Sequence, residues 1–595
     1  MSYHILFSFG LILLLGYAAQ WLAWRIKVPS ILFLLLFGIL AGPVFGFLHP
    51  DELFGDLLMP FVSVSVAIIL FEGGLTLKIS EFRKIGRVVS LLISVGVIIT
   101  WLITAAAAHF VLGINIQIAL LIGAVLTVTG PTVISPLLRN IRPRKSVSNI
   151  LKWESILIDP IGAILAILVF EAILIRELQP AAMEVVLSLL KILGIGVLVG
   201  GSFAMLLTFL IRKYWIPDFL HEAATLSAVV TAFLISDYFQ QESGLLAATI
   251  MGIVLANQRV IPVKNIKDFK ENLAVLIIPI LFILLSARLS PADMEMATLS
   301  GLVFLGLIIL VSRPLSVFIS TWGSGLPLKE KVFLAAVAPR GIVAAAISAV
   351  FALKLESIEM TDIEYLVPIT FLVIIGTVTI YGLSAPFTAR SLKISQSNPQ
   401  GVLIAGAQEW AIKVARELKN HNVKVILIDT NERNVQRAKQ SGLEAYQDSI
   451  IAEDIIDRIE LEGIGKFIAL TSNDEVNSLA VLHFSEIFDV ENMYQLAPTT
   501  GEVDKYSPRH LRGRFLFGKG FNYPVIQNKY SGGGRVTSTQ LTSKEVFDDP
   551  VLEDKDLDEI PLFLIDPSGK LTPLTTGERF TGEKKTMLIS LTLHQ

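Results

Sequence analysis

The feature that most limits how this chain can fold is a series of long apolar runs in its first 390 residues. Thirteen runs are long enough to cross a bilayer core about 30 Å thick, which takes roughly 20 helical residues. Because lipid offers the backbone no hydrogen-bond partners, such runs are stable there as helices. We therefore predict a membrane domain of about 13 helices over residues 1–390, in which residues 220–257 form either two spans or one re-entrant unit. The runs lie near residues 3–24, 30–47, 57–76, 88–111, 116–138, 153–175, 184–211, 220–237, 241–257, 270–288, 296–320, 331–353 and 363–388.

Composition and charge support this division. The chain is 53% hydrophobic and 17% charged, which excludes an ordinary soluble protein, whereas residues 400–595 have the charge density of a soluble domain. Cysteine is absent, which excludes disulfides, zinc-thiolate sites and thiol catalysis. Nineteen Lys and Arg residues lie in one set of loops and three in the other. The positive-inside rule then predicts a multi-pass protein of the cell (inner) membrane, with the N-terminus outside and the C-terminal domains cytoplasmic.

Two Pro-Gly interruptions occur inside these runs. Residues 129–131 read Thr-Gly-Pro in the fifth run, and residues 339–341 read Pro-Arg-Gly in the twelfth, seven runs later. Broken helices at corresponding positions of two halves are typical of transporters built from inverted repeats, which bind ions at the break. Gly130, Pro131, Pro339 and Gly341 are therefore predicted to be the residues of two broken, crossing helices.

Ionisable residues within the apolar runs are candidates for function, because a charge at the bilayer centre costs about 2.5–3.5 kcal/mol on insertion scales. Asp159 lies roughly 9 Å into a helix that is predicted to start near Trp153. Arg340 is a permanent cation that must be paired, and Glu154 is its natural partner. Asp159 would then be free to exchange a proton for a cation; the alternative is that Asp159 itself pairs with Arg340.

Two other charged residues lie near the ends of predicted runs in the membrane domain. Glu72, in the sequence Phe-Glu-Gly-Gly at the end of the third run, lies either on the cation path or at the cytoplasmic interface. Arg313 lies near a predicted span end, where we expect its side chain to extend toward the interface.

The motifs F-E-G-G, T-V-T-G-P-T, E-S-x-x-x-D-P and A-P-R-G-I-V, in this order and spacing, resemble the NhaP/NHE branch of the monovalent cation:proton antiporters over about residues 1–390. The resemblance implies a core domain that moves against a dimerisation domain, and hence a homodimer. It also implies that Ser155, Asp159 and the backbone around Thr129 ligate Na⁺ or K⁺, while Glu154 and Arg340 form a structural ion pair. The family pattern has Asn where this chain has Ile158, so a neutral oxygen ligand is lost and K⁺ becomes a candidate beside Na⁺.

The soluble half begins with a Rossmann-type pattern. A predicted strand ends at Gly406, a helical pattern follows, and a second strand ends at Asp429, 23 residues later, in the position that binds ribose. The glycine fingerprint is altered, because Gln408 stands where the second Gly is expected and obstructs the approach of a pyrophosphate.

Residues 400–496 resemble the TrkA-N (RCK-type) regulatory domain of potassium channels and transporters. The resemblance implies a regulatory nucleotide, AMP, ATP or NAD(H), near Gly406, Gln408, Asp429, Asp448 and Thr471, and no covalent cofactor. The altered loop favours a mononucleotide such as AMP. The alternative is a doubly wound domain that binds no nucleotide. Residues 497–595 are predicted to be a separate, small β-rich appendage with strands near 561–566 and 586–593.

These patterns together favour an electroneutral, one-for-one antiporter under the control of a cytosolic domain. A ligand-gated channel with an RCK-type sensor would need a pore loop such as T-V-G-Y-G, which the sequence lacks. An NAD-dependent enzyme would need catalytic groups beside an intact glycine loop, so we expect no enzymatic activity. The short basic cluster at 509–514 does not predict binding to nucleic acid.

Overall fold

A computed structural model of the chain divides into two compact units, residues 1–395 (unit 1) and 396–595 (unit 2). This division agrees with the predicted change from an apolar to a charged half. The structure describes residues 2–26, 28–141, 143–174, 178–258, 260–261, 264–289, 298–356, 362–394, 399–452, 455–459, 461–485, 487–499, 512–518, 520–547 and 559–592.

Unit 1 is helical throughout its described parts. Its α-helices are α1 (Ser2–Ile26), α2 (Ser30–Ile39), α3 (Pro50–Phe54), α4 (Leu58–Leu75), α5 (Ile79–Leu91), α6 (Val97–Leu112), α7 (Ile116–Val125), α8 (Pro131–Ile141), α9 (Lys145–Leu174), α10 (Leu178–Arg212), α11 (His221–Phe239), α12 (Ser243–Asn257), α13 (Lys264–Ala287), α14 (Leu299–Leu307), α15 (Arg313–Ser320), α16 (Leu328–Ala335), α17 (Ile342–Glu356) and α18 (Leu366–Ser391).

The lengths of these helices suit a membrane. Among the described residues, eight continuous helical segments are long and apolar enough to cross a bilayer, and five further apolar helices have 10–17 residues. Each of these segments overlaps one of the predicted runs, and the count of 13 spans stays a prediction. Residues 220–257 form two helices, and the hydroxyls of Ser236 in α11 and Ser243 in α12 are 2.7 Å apart across the turn.

Two of the apolar runs are broken where the sequence predicts it. The chain leaves helical geometry after Val125 and resumes at Pro131, where the missing N–H costs nothing because the first turn of a helix has no acceptor for it. The second break extends from the end of α16 to the start of α17 at Ile342. Each break leaves two helix ends inside the unit in place of one continuous helix.

The helix before each broken helix contains one wide π turn. Residues Leu92–Gly96 separate α5 from α6, and residues Ile308–Ser312 separate α14 from α15. The two helices pack together, and the Ser316 hydroxyl donates to the Gly96 carbonyl at 3.1 Å. The same sequence of a π turn followed by a break thus occurs twice in the chain.

Unit 2 contains a six-stranded parallel sheet in the order β3-β2-β1-β4-β5-β6. Its central strands are buried on both faces by helices, which explains their nearly continuous apolar sequences. The elements are β1 (Gly401–Ala405), α19 (Glu409–Asn420), β2 (Val425–Asp429), α20 (Glu432–Gln440), β3 (Glu444–Gln447), α21 (Ile455–Arg458), β4 (Ile464–Ala469), α22 (Asp474–Phe484), β5 (Met493–Gln495) and β6 (Arg514–Phe515).

The last hundred residues are β-rich, as predicted, but they are not a separate appendage. They supply β6 to the parallel sheet, and the strands of their four-stranded sheet share one hydrophobic core with Trp410 and Leu418 of α19. A domain boundary at residue 496 is therefore wrong for the described residues. The other elements are α23 (Tyr523–Ser531), β7 (Arg535–Gln540), β8 (Glu545–Phe547), β9 (Glu559–Ile565), β10 (Leu571–Pro573), β11 (Phe580–Gly582) and β12 (Met587–Thr592), which form the sheets β10-β9-β12-β7 and β11-β8.

Candidate functional site

The two breaks cross each other in direct backbone contact. The Gly130 N–H donates to the Pro339 carbonyl at 3.1 Å. A Cβ atom added to Gly130 would lie 2.5 Å from the Gly341 Cα, a distance that no side chain tolerates. Glycine at both positions is therefore what allows the extended segments to cross.

Asp159 lies on the face of α9 that approaches this crossing. A Cβ added to Gly162, one turn further along α9, would lie 2.9 Å from the Thr127 hydroxyl in the first break. Asp159 is three residues earlier and so shares this helix face. Its side chain is fully buried, and neither carboxylate oxygen has a hydrogen-bond partner. A buried carboxylate without partners is stable only when it binds a proton or a cation.

Other buried hydroxyl oxygens lie at the first break and on α9. The hydroxyls of Thr129 and Thr132, at the first break, are buried without a partner. Ser155 is buried one turn before Asp159 and donates to the Lys152 carbonyl at 3.1 Å, which leaves its lone pairs available. The described residues contain no cluster of three or more His, Cys, Asp or Glu side chains.

The predicted ion pair between Glu154 and Arg340 is wrong. Glu154 is buried and accepts two hydrogen bonds from the guanidinium of Arg313, one of them from Nη2 to Oε2 at 2.9 Å. Arg313 is also buried, so its expected position at the interface is wrong as well. The usable signal in the sequence was a lone arginine inside an apolar run, which must find a partner wherever it lies.

Arg340 instead binds backbone oxygens of the other break. Its Nη1 donates to the carbonyls of Thr127 and Val128 at 3.0 and 3.3 Å, just beyond the C-terminal end of α7. Arg313 does the same at the end of α16, where it donates to the carbonyls of Leu334 and Val337. Each arginine therefore neutralises the partial negative charge at the C-terminal end of one short helix, α7 for Arg340 and α16 for Arg313.

Glu72 lies on α4, beside α9. A Cβ on the adjacent Gly73 would lie 3.1 Å from the Ile156 side chain, which brings this end of α4 to the level of Ser155 and Asp159. A contribution of Glu72 to cation binding stays a prediction.

In unit 2, the predicted nucleotide residues lie where the parallel strands end. Gly406 follows β1 with φ +104°, Asp429 ends β2, and Thr471 follows β4. The Asp448 N–H donates to the Asp429 carbonyl at 3.2 Å, so these two residues are neighbours. In doubly wound folds, ligands bind at this edge, where the strand order reverses between β1 and β4.

The chain's own groups occupy this edge. Asp429 accepts bonds from the N–H groups of Ala407 and Asn431 and from the Asn434 amide. Asp448 pairs with Arg458, and Thr471 bonds to Asn477 at the start of α22.

The Gln408 side chain reaches across the edge and donates to the Leu470 carbonyl at 3.2 Å. The residues in this arrangement do not fit a dinucleotide, because Gln408 fills the place of a pyrophosphate.

Comparison with known protein families gives two matches. Residues 10–391 match the family described as sodium/hydrogen exchanger, transmembrane, and residues 402–507 match the TrkA-N domain. The first match spans the crossing helices and Asp159, and the second spans the carboxyl edge of the parallel sheet.

Several named proteins are similar to the chain over the region of the first match. Over 398 residues, the chain is 27% identical to the K(+)/H(+) antiporter NhaP of Alkalimonas amylolytica, covering 66% of this chain and 67% of the relative. Over 391 residues it is 28% identical to Na(+)/H(+) antiporter 1 of Methanocaldococcus jannaschii, covering 62% and 89%. The solved structure of the sodium proton antiporter MjNhaP1 from the same organism, at pH 8, superposes with a TM-score of 0.58 at 25% identity, covering 65% of this chain and 98% of that one.

Proposed function

The chain belongs to the sodium/hydrogen exchanger family, and from this premise we propose that it exchanges a monovalent cation, Na⁺ or K⁺, for protons across the membrane by alternating access. The observation that carries the proposal is Asp159, a fully buried carboxylate at the crossing of two broken helices, with both oxygens unpartnered. Relatives that transport either ion are consistent with this cargo.

Exchange follows from competition at one carboxylate. Asp159 holds a proton or a cation, but not both, because either one satisfies the single buried negative charge. Ser155 and Thr129 complete the cation's coordination in this proposal, and Glu72 lies on the path by which the cation reaches the site. Glu154 stays ionised by its pair with Arg313 and does not take part in the exchange.

The choice between Na⁺ and K⁺ depends on the residue before the carboxylate. Ile158 is buried at 4% exposure and offers no oxygen. With one neutral ligand fewer, the site binds its ion in a looser shell, which disfavours the smaller and more strongly hydrated Na⁺. We propose that the site tolerates K⁺ at least as well as Na⁺.

For the membrane arrangement, we propose 13 spans built from inverted repeats, with the N-terminus outside and unit 2 in the cytoplasm. The repeat is supported by the two π turns, each in the helix directly before a broken helix and seven spans apart. An odd offset inverts the second copy relative to the first. In this proposal the protein is a homodimer in the lipid bilayer, with a core domain that moves against a dimerisation domain.

We propose that unit 2 regulates this exchange and that the regulated exchange contributes to pH homeostasis. Uncontrolled exchange would collapse ion gradients, so a shut-off has a physical rationale. A regulatory domain can act only by binding one transport state better than the other, typically by about 1–3 kcal/mol.

The proposal is tested with purified protein in proteoliposomes that contain a pH-sensitive dye. Additions of Na⁺, K⁺ and Li⁺, one at a time, should each be compared with choline, and a transported ion should drive proton efflux that saturates. A channel would instead conduct cations without moving protons. Saturable cation flux with no coupled proton flux would contradict antiport.

A further inference from the structure

The crevice that takes a nucleotide in a doubly wound fold lies outside the carboxyl ends of β1 and β4. Here Gly406 and Leu470 form its two sides, because the Leu470 N–H donates to the Ala405 carbonyl at 2.8 Å. A bound pyrophosphate lies between them, against the backbone of the loop and the N-terminus of α19. The second glycine of the fingerprint is what allows that approach, and its place is taken by Gln408.

Gln408 does more than add a Cβ at this position. Its carboxamide folds back over Gly406, so that a Cβ on Gly406 would lie 3.0 Å from Oε1 and 3.2 Å from Nε2. Its Nε2 donates to the Leu470 carbonyl on the far side. The side chain therefore spans the crevice from one wall to the other.

The hydrogen-bonding groups of the crevice are correspondingly engaged or covered. The Ala407 N–H, a loop amide, is taken by the Asp429 carboxylate at 2.7 Å. Gln408 Oε1 is buried and has no partner among the described residues.

Helix α23 lies beside the same edge. Burial and the nearby carboxylate of Asp429 both raise the pKa of Tyr523 in α23, so this helix lies beside the ribose position. The Tyr530 hydroxyl donates to Glu409 at the start of α19 at 3.4 Å. The crevice is thus filled from within by Gln408 and flanked by α23.

We propose that Gln408 closes the crevice of unit 2 to nucleotides, so that this TrkA-N domain works without a bound dinucleotide or mononucleotide. The carboxamide stands in the phosphate position, and Asp429 bonds the loop amide in place of a ribose. Gln408 is then the residue that separates this domain from one that binds nucleotides. The inference depends on the geometry of unit 2 and not on the proposed transport reaction.

The test restores the fingerprint in the full-length protein in detergent with Gln408→Gly. The backbone at this position, φ −65° and ψ 164°, is open to glycine without strain. NADH, NAD, ATP and AMP are added separately at millimolar concentration, and binding is measured by calorimetry and by the shift in unfolding temperature, which a ligand of the native state raises. We expect no binding to the wild type at these concentrations. Gln408→Gly should bind at least one nucleotide, with a dissociation constant at least about tenfold below the highest concentration tested on the wild type.

Two variants keep the result interpretable. Gln408→Ala removes the carboxamide but keeps the Cβ, and it should bind more weakly than Gln408→Gly. Asp429→Asn added to Gln408→Gly should abolish the gained binding if the nucleotide enters this crevice. Binding of any of the four nucleotides to the wild type within about threefold of the glycine variant would overturn the proposal. A folded Gln408→Gly protein that binds none of them would overturn it as well. Because transport is not measured, neither outcome bears on antiport.

Discussion

The buried charged side chains of unit 1 differ in whether a partner satisfies them. Glu154 and Arg313 satisfy each other, and Arg340 donates through Nη1 to the carbonyls of Thr127 and Val128, while its Nε has no partner among the described residues. Asp159 has no such partner. This difference is the reason why we propose structural roles for the first three residues and ion exchange for the fourth.

Asp159→Asn should abolish exchange without unfolding the protein. The change keeps the shape of the side chain but removes the charge that binds a proton or a cation. Because the carboxylate has no partner to lose, the unfolding temperature should stay the same or rise. The measurement is dye-reported exchange in proteoliposomes beside thermal unfolding in detergent. Substantial exchange by the folded variant would remove Asp159 from the mechanism.

Breaking the Glu154–Arg313 pair should destabilise unit 1 strongly. Glu154→Gln or Arg313→Gln leaves one buried charge uncompensated, at a cost of about 3–5 kcal/mol. The double variant should recover part of this loss. As the matched control, Glu154→Gln combined with Arg340→Gln should show no recovery, because Arg340 binds carbonyls instead. Unfolding temperatures of all the variants in detergent show which arginine pairs with Glu154. If the unfolding temperature recovered only in the variant with Arg340→Gln, Arg340 would be the partner.

Lys466 in β4 should make the stability of unit 2 depend on pH. Burial, followed by the nearby Lys570, lowers its pKa from 10.5 to about 8, and its amine donates to the neutral Gln400 side chain at 3.1 Å. Between these two values the unfolded chain binds more protons than the folded one, so stability rises with pH. Below pH 8 the cost of the buried charge is present in full.

Lys466→Met should therefore stabilise unit 2 at about pH 7, and the gain should shrink toward pH 10.5. Urea unfolding of the full chain, read by pulse proteolysis of residues 396–595, measures this. Lys544→Met, at an exposed position, is the control. Equal gains at about pH 7 and about pH 10 would show that the charge of Lys466 is irrelevant.

At the scale of elements, the crossing replaces two continuous helices by four short ones. Their carbonyl ends are bonded by Arg313 and Arg340, so the broken backbone is stable without water. The crossing itself has no space for side chains, because Gly130 and Gly341 are in backbone contact.

Gly130→Ala should separate the two breaks and impair transport. The added Cβ would lie 2.5 Å from the Gly341 Cα, and forced overpacking costs about 1–3 kcal/mol. Gly306→Ala in α14 is the control, since nothing lies within 4 Å of a Cβ there. The control should keep its activity and gain up to about 1 kcal/mol, as alanine favours a helix. Exchange rates and unfolding temperatures of both variants check this, and an active, fully stable Gly130→Ala protein would contradict the contact.

At the scale of the whole molecule, the number of exchangeable charges sets the stoichiometry. Among the buried carboxylates that the structure describes, Asp159 is the one with both oxygens unpartnered. One carboxylate exchanges one proton for one monovalent cation, so transport should be electroneutral. On a solid-supported membrane, a jump in cation concentration should give no sustained current even where the dye reports exchange. A current that scales with the exchange rate would require a second charge.

Much of the secondary structure of this protein could be predicted from local sequence. Apolar length predicted the helical segments of unit 1, Gly-Pro pairs predicted both breaks, and alternating buried strands and helices predicted the parallel sheet of unit 2. These features depend on the free energy of burying or exposing each segment's own backbone and side chains. That free energy can be judged from the sequence of the segment alone.

Only the tertiary structure decided which distant residues meet. Glu154 has two buried arginines available, and the fold places α15 so that Arg313, 159 residues away, donates to it. In the same way, the β-rich end joins the core of unit 2, and the Gln408 carboxamide reaches Leu470 across the crevice. Such pairings follow from how helices and strands pack, and a charge or an amide in the sequence shows that a partner is needed without showing which one the fold supplies.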